Sequence, residues 1–452
     1  MSMRLIELDY TRDSAALFSH IAHEPWSIFL DSGYPLIDSG RYDIMTSRPY
    51  RTLLTRGEET RITGGGSLQH SKDDPFALVK RELGERRINF SGLPFSGGAL
   101  GYFSYDLGRR VEQLPALCRD DIDMPDMAIG LYDWAVIVDH HRRRTWLIAA
   151  DGSRIGDTGW KELQDLFGSG NIPEAPAYSV QSALLNDTGK EQYRAAFDRI
   201  QHYIRDGDCY QVNLAQRFSV TVTGDSWGVY RQLRKSNPAP YACFFRLEAA
   251  GILSSSPERY ISVSNDLVET KPIKGTIRRS AFAYEDKALA AQLLESEKDR
   301  AENLMIVDLL RNDIGKNCET GSVMVPRLFA LESFATVHHL VSTVTGRLAR
   351  DRHALDLLRG AFPGGSITGA PKLRAMQIIE ELETYRRTVY CGAIGYVGFD
   401  GNMDTNIAIR TLVHKEDRIY FWAGGGIVAD SEPDSEYTEC YTKAEAIMRL
   451  FR

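Results

Sequence analysis

Lys274 is the residue whose type and surroundings most strongly suggest chemistry. Pro272 precedes it and Gly275 follows it, and both residues let the backbone turn sharply beside a ligand. An amine held at a pocket wall could act as a nucleophile if it were kept neutral. A solvated turn is the alternative for this segment alone, because most lysines are exposed. Glu258, in the 256–260 segment just upstream, favours the chemical interpretation.

Two pairs of acidic residues have the spacing of ligands on one helix face. Asp299 and Glu302 are three residues apart in a helical pattern, and Glu436 and Glu439 repeat that spacing, with Lys443 one turn further on. Two such pairs on separate helices could converge on Mg²⁺, which prefers oxygen ligands. Two solvated acidic faces are the alternative.

A glycine-rich run near the C-terminus could bind an anion. The 423–427 run follows a strand pattern and precedes a helical pattern, so the backbone N–H groups of Gly425 and Gly426 could hold a carboxylate. The alternative for this run is a plain tight turn.

The 363–372 segment has the glycines of a phosphate-binding loop but not its spacing. Two residues separate its last glycine from Lys372, so the segment does not match the GxxxxGK[ST] pattern. A P-loop nucleotide enzyme is therefore disfavoured. Thr368 and Pro371 instead predict the start of a helix over 372–382.

Alternating apolar and polar residues predict a strand over 210–220. Gln211 lies on its polar face, which is unsuited to a core and could line a cavity. The pattern before this strand predicts a helix that begins with a capping box of Thr188 and Glu191 and ends at Gly207.

The chain from 390 to 423 predicts a three-stranded β-meander. The Asp400–Gly401 dipeptide between its first two strands suits a type I′ turn. The predicted strands cover 390–399, 402–413 and 418–423.

Three further polar residues could contact a substrate. Tyr396 and Arg410 lie on neighbouring strands of the predicted meander, and this pair suits a substrate carboxylate. His339 is either a satisfied core histidine or a polar contact to a substrate hydroxyl.

The length of 452 residues allows about three average domains or one large intertwined unit. Short strand patterns separated by turns predict a β-rich N-terminal region over 1–167. Glycine, proline and polar residues then predict a linker over 168–189, followed by a catalytic region over 190–452.

Charge and cysteine usage exclude several classes of protein. The net charge of −7 argues against a nucleic-acid partner, and the basic run over 140–144 is predicted to be a solvated hairpin turn. The chain contains neither a long apolar run nor a secretory signal pattern, which predicts a cytoplasmic protein without a membrane partner. Six scattered cysteines without a CxxC pair fit reduced thiols.

The motifs of the C-terminal region together resemble those of the chorismate-utilising enzymes. The resemblance extends from about residue 190 to the C-terminus, and the 95–110 and 125–139 segments resemble the N-terminal part of family members. The motifs that carry it are SPERY at 256–260, PIKGT at 272–276, the 299–313 segment, PGGSITGAPK at 363–372, GYVG at 395–398 and the 423–439 segment.

The resemblance implies an α/β (α+β) fold in which two β-sheets pack face to face with helices outside. It also implies an intertwined unit with a Mg²⁺-dependent site between the sheets. Glu302 and Glu439 would hold the metal, with Asp299 and Glu436 acting directly or through water. The implied contacts to the substrate chorismate are Gln211, Thr276, His339, Tyr396, Arg410, Gly425, Gly426 and Lys443.

Two positions indicate which branch of the family the chain resembles. Anthranilate synthases typically carry alanine where this chain has Lys274, and isochorismate-forming members carry a water-activating lysine where it has Gln211. The implied reaction converts chorismate and ammonia to 4-amino-4-deoxychorismate, with Lys274 attacking C2 and Glu258 protonating the leaving C4 hydroxyl. An anthranilate synthase component and a non-catalytic binding subunit are the alternatives.

The resemblance implies two further ligands. The chain lacks the nucleophilic cysteine signature of a glutaminase, so a separate glutamine amidotransferase subunit would supply the ammonia. A family pocket for tryptophan, as an inhibitor or a structural ligand, corresponds to Ser32, Ser39, Gly40, Arg41, Tyr42, Pro240, Tyr241 and Ala242. This chain has Asp31–Ser32–Gly33 where feedback-regulated members usually have Leu-Glu-Ser, which disfavours regulation.

Overall fold

The computed structural model describes residues 3–89, 91–333 and 337–452, and two large antiparallel β-sheets dominate it. The strands are β1 (Arg4–Leu8), β2 (Ile28–Asp31), β3 (Tyr42–Thr46), β4 (Arg51–Arg56), β5 (Glu59–Gly64), β6 (Ser67–Ser71), β7 (Gly98–Phe103), β8 (Met127–Tyr132), β9 (Trp134–Asp139), β10 (Arg144–Ala149), β11 (Tyr178–Val180), β12 (Leu185–Asn186), β13 (Gln211–Gly224), β14 (Tyr241–Arg246), β15 (Ala250–Ser256), β16 (Arg259–Ser264), β17 (Leu267–Thr270), β18 (Ile273–Arg278), β19 (Met324–Ser333), β20 (Val337–Arg347), β21 (Gly369–Ala370), β22 (Ala393–Gly398), β23 (Met403–Ile407), β24 (Thr411–Lys415) and β25 (Arg418–Ile427).

Helices connect these strands. The α-helices are α1 (Ser14–Phe18), α2 (Pro75–Leu83), α3 (Asp157–Gly168), α4 (Lys190–Arg205), α5 (Ser226–Ser236), α6 (Ala283–Glu295), α7 (Glu297–Gly315), α8 (Ala354–Ala361), α9 (Lys372–Leu382) and α10 (Pro433–Met448). Short 3₁₀ helices lie at Tyr105–Arg110, Gly365–Ile367 and Arg449–Phe451. Among the helices of the described ranges, none combines the length and apolarity needed to cross a bilayer.

The strands of each sheet come from distant parts of the chain. The first sheet has the order β1-β10-β9-β3-β2-β14-β15-β24-β25-β13-β11, and β12 and β21 also pair with β13. The second has the order β18-β20-β17-β16-β23-β22-β7-β8-β4-β5-β6, and β19 pairs with β20. Aromatic residues meet between the sheets, as in the edge-to-face contact of Tyr102 with Phe245. The predicted α/β (α+β) fold with two large sheets is confirmed.

Strands from before and after the predicted linker lie side by side in both sheets. In the first sheet Ala242 pairs with Asp31, and in the second Gly395 pairs with Gly101. The 168–189 segment itself contributes β11 and β12, which pair with β13. Backbone pairing therefore joins the regions on either side of this segment. The division of the chain into two regions at this segment stays a prediction.

The predicted β-meander is only partly correct. Strands β22 and β23 pair as expected, but β24 joins the other sheet, so the three strands do not form one meander. The chain changes sheets around Arg410, whose φ of 49° breaks the predicted 402–413 strand. The type I′ turn is also wrong, because a positive φ occurs at Gly401 but not at Asp400.

Two predicted helix starts have different caps from those expected. Helix α4 begins after Gly189 without a side-chain cap, and the Thr188 hydroxyl accepts a hydrogen bond from the Arg217 N–H instead. Helix α9 is confirmed over Lys372–Leu382, but Pro371 is its N-cap residue and Thr368 bonds to preceding carbonyls. Both threonines stabilise loops rather than helix ends.

His140 corrects the prediction of a fully solvated turn over 140–144. It is only 3% exposed, and its Nε2 lies 2.8 Å from Oδ2 of the buried Asp43. The remaining residues of the run up to Arg144 are exposed, as the prediction required. All six cysteines lie within the described residues and are free thiols.

Candidate active site

Lys274 lies on an irregular part of β18. The pairing of β18 with β20 shifts register between Ile273 and Thr276, and Gly275 has a φ of 83°. A Cβ atom on Gly275 would lie 2.9 Å from Cβ of Asp299, so glycine lets this strand approach α7 closely. The backbone therefore brings the lysine against the acidic helix, and the solvated-turn alternative is wrong.

The environment of Lys274 shifts its protonation equilibrium towards the neutral form. Burial is the largest effect and lowers the pKa of Lys274, while the carboxylate of Glu302 opposes that shift. The ammonium group of Lys443 lowers the pKa further, and Glu258 and Glu439 raise it. The net pKa is below the ordinary lysine value, which is the direction that a nucleophilic amine requires.

Glu258 connects β15 and β16 and is buried, with 8% of its surface exposed. Its backbone carbonyl accepts a hydrogen bond from the Ile407 N–H, which fixes the residue next to the sheet. Burial raises the pKa of Glu258 to about 7. Three weaker effects oppose this shift: the charge of Lys274, a hydrogen bond from Ser366 and the charge of Lys443. A carboxyl group with this pKa can carry a proton near neutral pH and donate it.

The structure places the two predicted acid pairs on helices α7 and α10. Burial raises the pKa of Glu302, and the charges of Asp299 and Glu439 raise it further. Burial also raises the pKa of Glu436, as does the nearby charge of Glu439. The electrostatic coupling of Glu302 with Glu439 shows that the two helices present their carboxylates to one region.

Protein groups hold two of these four carboxylates. Lys443 lies 2.7 Å from Glu439, and despite the effect of burial this ion pair lowers the pKa of Glu439. The Ser431 hydroxyl donates to Glu436 at 2.7 Å. Among the described residues, no group of three or more His, Cys, Asp or Glu side chains is already gathered as metal ligands. The all-oxygen donor set nevertheless fits Mg²⁺, provided that Glu439 releases Lys443.

The glycine-rich 423–427 run forms the end of strand β25 rather than a tight turn. Gly425 pairs with Leu214 of β13, and a Cβ atom on Gly425 would lie 3.2 Å from Oε2 of Glu436 and 3.5 Å from Nζ of Lys443. A Cβ atom on Gly426 would collide with the side chain of Gln211. The missing side chains leave room between this strand and α10, next to the acid pairs.

Gln211 of β13 lies directly next to Gly426 of β25. It is fully buried, and its Nε2 donates to Oδ1 of Asn213 at 3.1 Å. Within the described ranges its Oε1 is a buried acceptor without a hydrogen-bond partner. Arg217 on the same face instead pairs with Asp187 and Asp121, so the lining of a cavity by this face stays a prediction.

Three polar side chains near Lys274 could contact a substrate. Thr276 and His339 are neutral, and Arg410 is cationic. The Thr276 hydroxyl lies 2.8 Å from Nδ1 of His339. Burial lowers the pKa of His339 to about 4, and the charge of Arg410 contributes, so the imidazole is neutral at pH 7. Arg410 reaches Asn237 at 3.3 Å, and burial lowers its own pKa. A half-buried guanidinium group of this kind suits a carboxylate ligand.

Tyr396 lies outside the group formed by Lys274 and Glu258. Its ring contacts Phe95 edge to face, and it lines a separate cavity of about 390 Å³. Pro257 and Ile273 line the same cavity, so the residues directly preceding Glu258 and Lys274 form its wall. The eight residues predicted to bind tryptophan all line it: Ser32, Ser39, Gly40, Arg41, Tyr42, Pro240, Tyr241 and Ala242.

Sequence reasoning did not single out Ser366, although it included the residue in a family motif. Its hydroxyl donates to Oε1 of Glu258 at 3.2 Å. Lys372, which ends the segment, donates to the Ala361 carbonyl at 2.7 Å and to Asp313, so it stabilises a loop. The glycines of the 363–372 segment were the available signal, since Gly365 leaves no room for a side chain against Leu309.

Comparison with known proteins agrees with this geometry. Residues 37–449 match the family described as chorismate binding enzyme. The chain belongs to this family of enzymes.

The relatives extend over nearly the whole chain. The chain is 48% identical to aminodeoxychorismate synthase component 1 of Klebsiella aerogenes, covering 99% of both sequences. It is also 48% identical to the Escherichia coli (strain K12) protein of the same name, covering 99% of this chain and 98% of the relative. A crystal structure of anthranilate synthase component I from Streptococcus pneumoniae superposes with a TM-score of 0.79 at 36% identity, covering 91% of this chain and 93% of that one.

Proposed function

We propose that the chain converts chorismate and ammonia to 4-amino-4-deoxychorismate. The observation that carries this proposal is the placement of Lys274 and Glu258 in one site, where each affects the pKa of the other. The names of relatives that are 48% identical support the same reaction. Lys274 and Gln211 together favour amination with retention of the enolpyruvyl group over the anthranilate and isochorismate reactions.

The first step replaces the C4 hydroxyl by a bond to the enzyme. Glu258 gives its proton to the hydroxyl, which leaves as water, while Nζ of Lys274 bonds to C2 and the two ring double bonds shift towards C4. Only about one lysine in several thousand is neutral at pH 7 when the pKa is near 10.4. Burial lowers the pKa of Lys274 and raises that of Glu258, so it shifts both groups towards the protonation states that this step requires.

The second step restores the ring and releases the lysine. Ammonia attacks C4, the double bonds return to their first positions, and the C2–N bond to Lys274 breaks. The carboxylate of Glu258 formed in the first step can accept the proton that the new amine loses. Both side chains thereby regain their starting protonation states, so the cycle needs no other reactant.

The four carboxylates on α7 and α10 would hold Mg²⁺ in this proposal, with Glu302 and Glu439 as ligands and Asp299 and Glu436 acting directly or through water. When bound, the ion would neutralise and orient a substrate carboxylate. Lys443 would then be free of Glu439 and could contact the substrate with Arg410 and the amides of Gly425 and Gly426. Thr276 and the neutral His339 offer hydrogen bonds to a substrate oxygen.

A separate glutamine amidotransferase subunit would supply the ammonia. The relatives are named component 1, which supports a second component of the enzyme. A cytoplasmic location is also part of the proposal, because six free cysteines suit a reducing compartment.

The reaction product tests the proposed function directly. Purified chain, chorismate, Mg²⁺ and ammonium at alkaline pH should yield 4-amino-4-deoxychorismate, identified by chromatography and mass. Ammonium at this pH replaces the partner subunit, so the test needs this chain alone. Anthranilate as the product would favour the anthranilate synthase alternative, and isochorismate or an absence of turnover would also contradict the proposal.

We further propose that the 390 Å³ cavity binds tryptophan as a structural ligand. Two buried polar atoms that line it, Oγ of Ser32 and Nε of Arg41, have no hydrogen-bond partner among the described residues. Arg259 and Asp404 in the wall pair with each other at 3.0 Å, and Asp31 pairs with Arg234 at 2.6 Å, so these charges are already balanced. Tyr42 and Tyr396 provide aromatic surface for an indole ring.

Calorimetry with L-tryptophan tests this pocket. We expect Ser32→Ala to weaken binding by about tenfold, the effect of losing one buried hydrogen bond. Ser67→Ala, on the exposed strand β6, is the matched control and should bind like the original chain. Equal affinity of both variants, or no heat of binding to the original chain, would contradict the assignment.

A further inference from the structure

We propose that Ser366 is a positioning residue for the general acid: its hydroxyl holds Oε1 of Glu258 and leaves the second carboxyl oxygen to carry the proton that is transferred. The proposal rests on the role of Glu258 in the proposed function. The two side chains lie 108 positions apart in the chain, yet the Ser366 hydroxyl and Glu258 Oε1 are 3.2 Å apart. Both residues are 8% exposed.

The backbone around Ser366 is fixed from its opposite side. The Ser366 carbonyl accepts a hydrogen bond from Nδ2 of Asn213 at 3.0 Å, and the Thr368 carbonyl accepts one from the Asn213 backbone N–H at 2.8 Å. The carbonyl of Ile367, which lies between these two residues, accepts a hydrogen bond from Nη1 of Arg387 at 3.0 Å. The hydroxyl therefore projects from a loop that is anchored to the substrate-facing strand β13.

Arg387 strengthens this anchor because it is itself fixed. It is 2% exposed and pairs with Glu383 on the end of α9 at 2.6 Å, and its Nη2 donates to the Asn213 carbonyl at 2.8 Å. A buried, charge-assisted network of this kind holds its members in one geometry. Small movements of the loop that would lengthen the Ser366–Glu258 contact are thus resisted on two sides.

The chemical value of the contact appears after Glu258 has lost its proton. The charged groups that face Glu258 are Lys274 and Lys443, and both lower its pKa against the effect of burial. The hydroxyl of Ser366 adds a hydrogen bond to the carboxylate form and lowers the pKa as well. Without this donor the carboxylate would be less stable and proton donation less favourable.

Infrared titration of the full chain tests the contact independently of turnover. The C=O stretch of protonated Glu258, assigned by its loss in Glu258→Gln, should disappear near pH 7 in the original chain. We expect Ser366→Ala to raise that midpoint by about one pH unit and to lower kcat about tenfold with little change in KM. Ser366→Thr keeps a hydroxyl and should restore the midpoint.

Thr368→Val is the matched control for damage to the loop. The Thr368 hydroxyl bonds to the Gly364 and Gly365 carbonyls and does not touch Glu258, so this variant should leave the midpoint unchanged. An unshifted midpoint in Ser366→Ala, or an equal shift in Thr368→Val, would overturn the proposal. Full activity of Glu258→Gln would instead refute the proposed function, while the titration would still report on the Ser366 contact.

Discussion

Replacement of Lys274 by alanine should lower formation of 4-amino-4-deoxychorismate by at least about a hundredfold, because the covalent route loses its nucleophile. The methyl group of alanine can neither bond to C2 nor offset the charges of Glu302 and Glu439. The measurement is kcat with saturating chorismate, Mg²⁺ and ammonium. A rate within a fewfold of the original chain would show that ammonia attacks without an enzyme-bound intermediate.

Lys274→Arg is the matched control for charge. Arginine keeps a cation among the acidic side chains but remains protonated and is a poor nucleophile. If Lys274 acted only through its charge, the arginine variant would keep much more activity than the alanine variant. We expect both variants to be similarly impaired. Without ammonia, the original chain should also accumulate an adduct of chorismate less one water at Lys274, detectable by mass spectrometry.

Local sequence features together with the family resemblance predicted the reactive centre. Glycine at 275 permits the approach of β18 to α7, and the three-residue spacing within each acid pair places both carboxylates on one helix face. Such features depend on near neighbours in the chain, so residue types and spacing could mark these positions as candidates, whereas the roles of Lys274, Glu258 and the acid pairs were implied by the resemblance. The structure places Lys274, Glu258 and both acid pairs in one electrostatic environment.

Long-range pairing explains what the sequence could not predict. Strand β23 pairs with β16 in one sheet, whereas β24 pairs with β15 in the other. The choice between these distant partners is not visible in any local sequence pattern. The change of sheet at Arg410 places the arginine side chain near His339. Tyr396, fourteen positions earlier, instead lines the cavity of about 390 Å³. The Ser366–Glu258 contact was missed for the same reason, since it joins a loop to a strand end 108 positions away.

Glu258→Gln should lower kcat by about 10²- to 10⁴-fold, the usual contribution of a positioned general acid. Glutamine has nearly the same shape but cannot release a proton to the C4 hydroxyl. At a fixed concentration of free ammonia, kcat of the original chain should decrease, without falling to zero, as the pH rises through about 7, because a smaller fraction of Glu258 then carries its proton. Glu258→Asp keeps an acid at a shifted position and should retain more activity than the glutamine variant. Equal activity of the original chain and Glu258→Gln would remove Glu258 from the mechanism.

The same substitution should make the folded chain more stable above neutral pH. The folded-state pKa of Glu258, about 7, lies above its ordinary value of 4.5, so the folded chain binds the proton more tightly than the unfolded chain. The stabilisation from this proton is fully present below pH 4.5 and is lost as the pH rises through 7, a change of about 3 kcal/mol.

Glutamine does not titrate, so the stability of Glu258→Gln should lack this loss, and the difference between the two proteins should grow between pH 5 and 8. The lowered pKa of Lys274 acts in the opposite direction, but both proteins contain that lysine and its effect largely cancels in their difference. Urea unfolding at several pH values measures the difference. A pH-independent difference would show that burial does not hold the proton on Glu258, and the acid of the first step would then have to be another group.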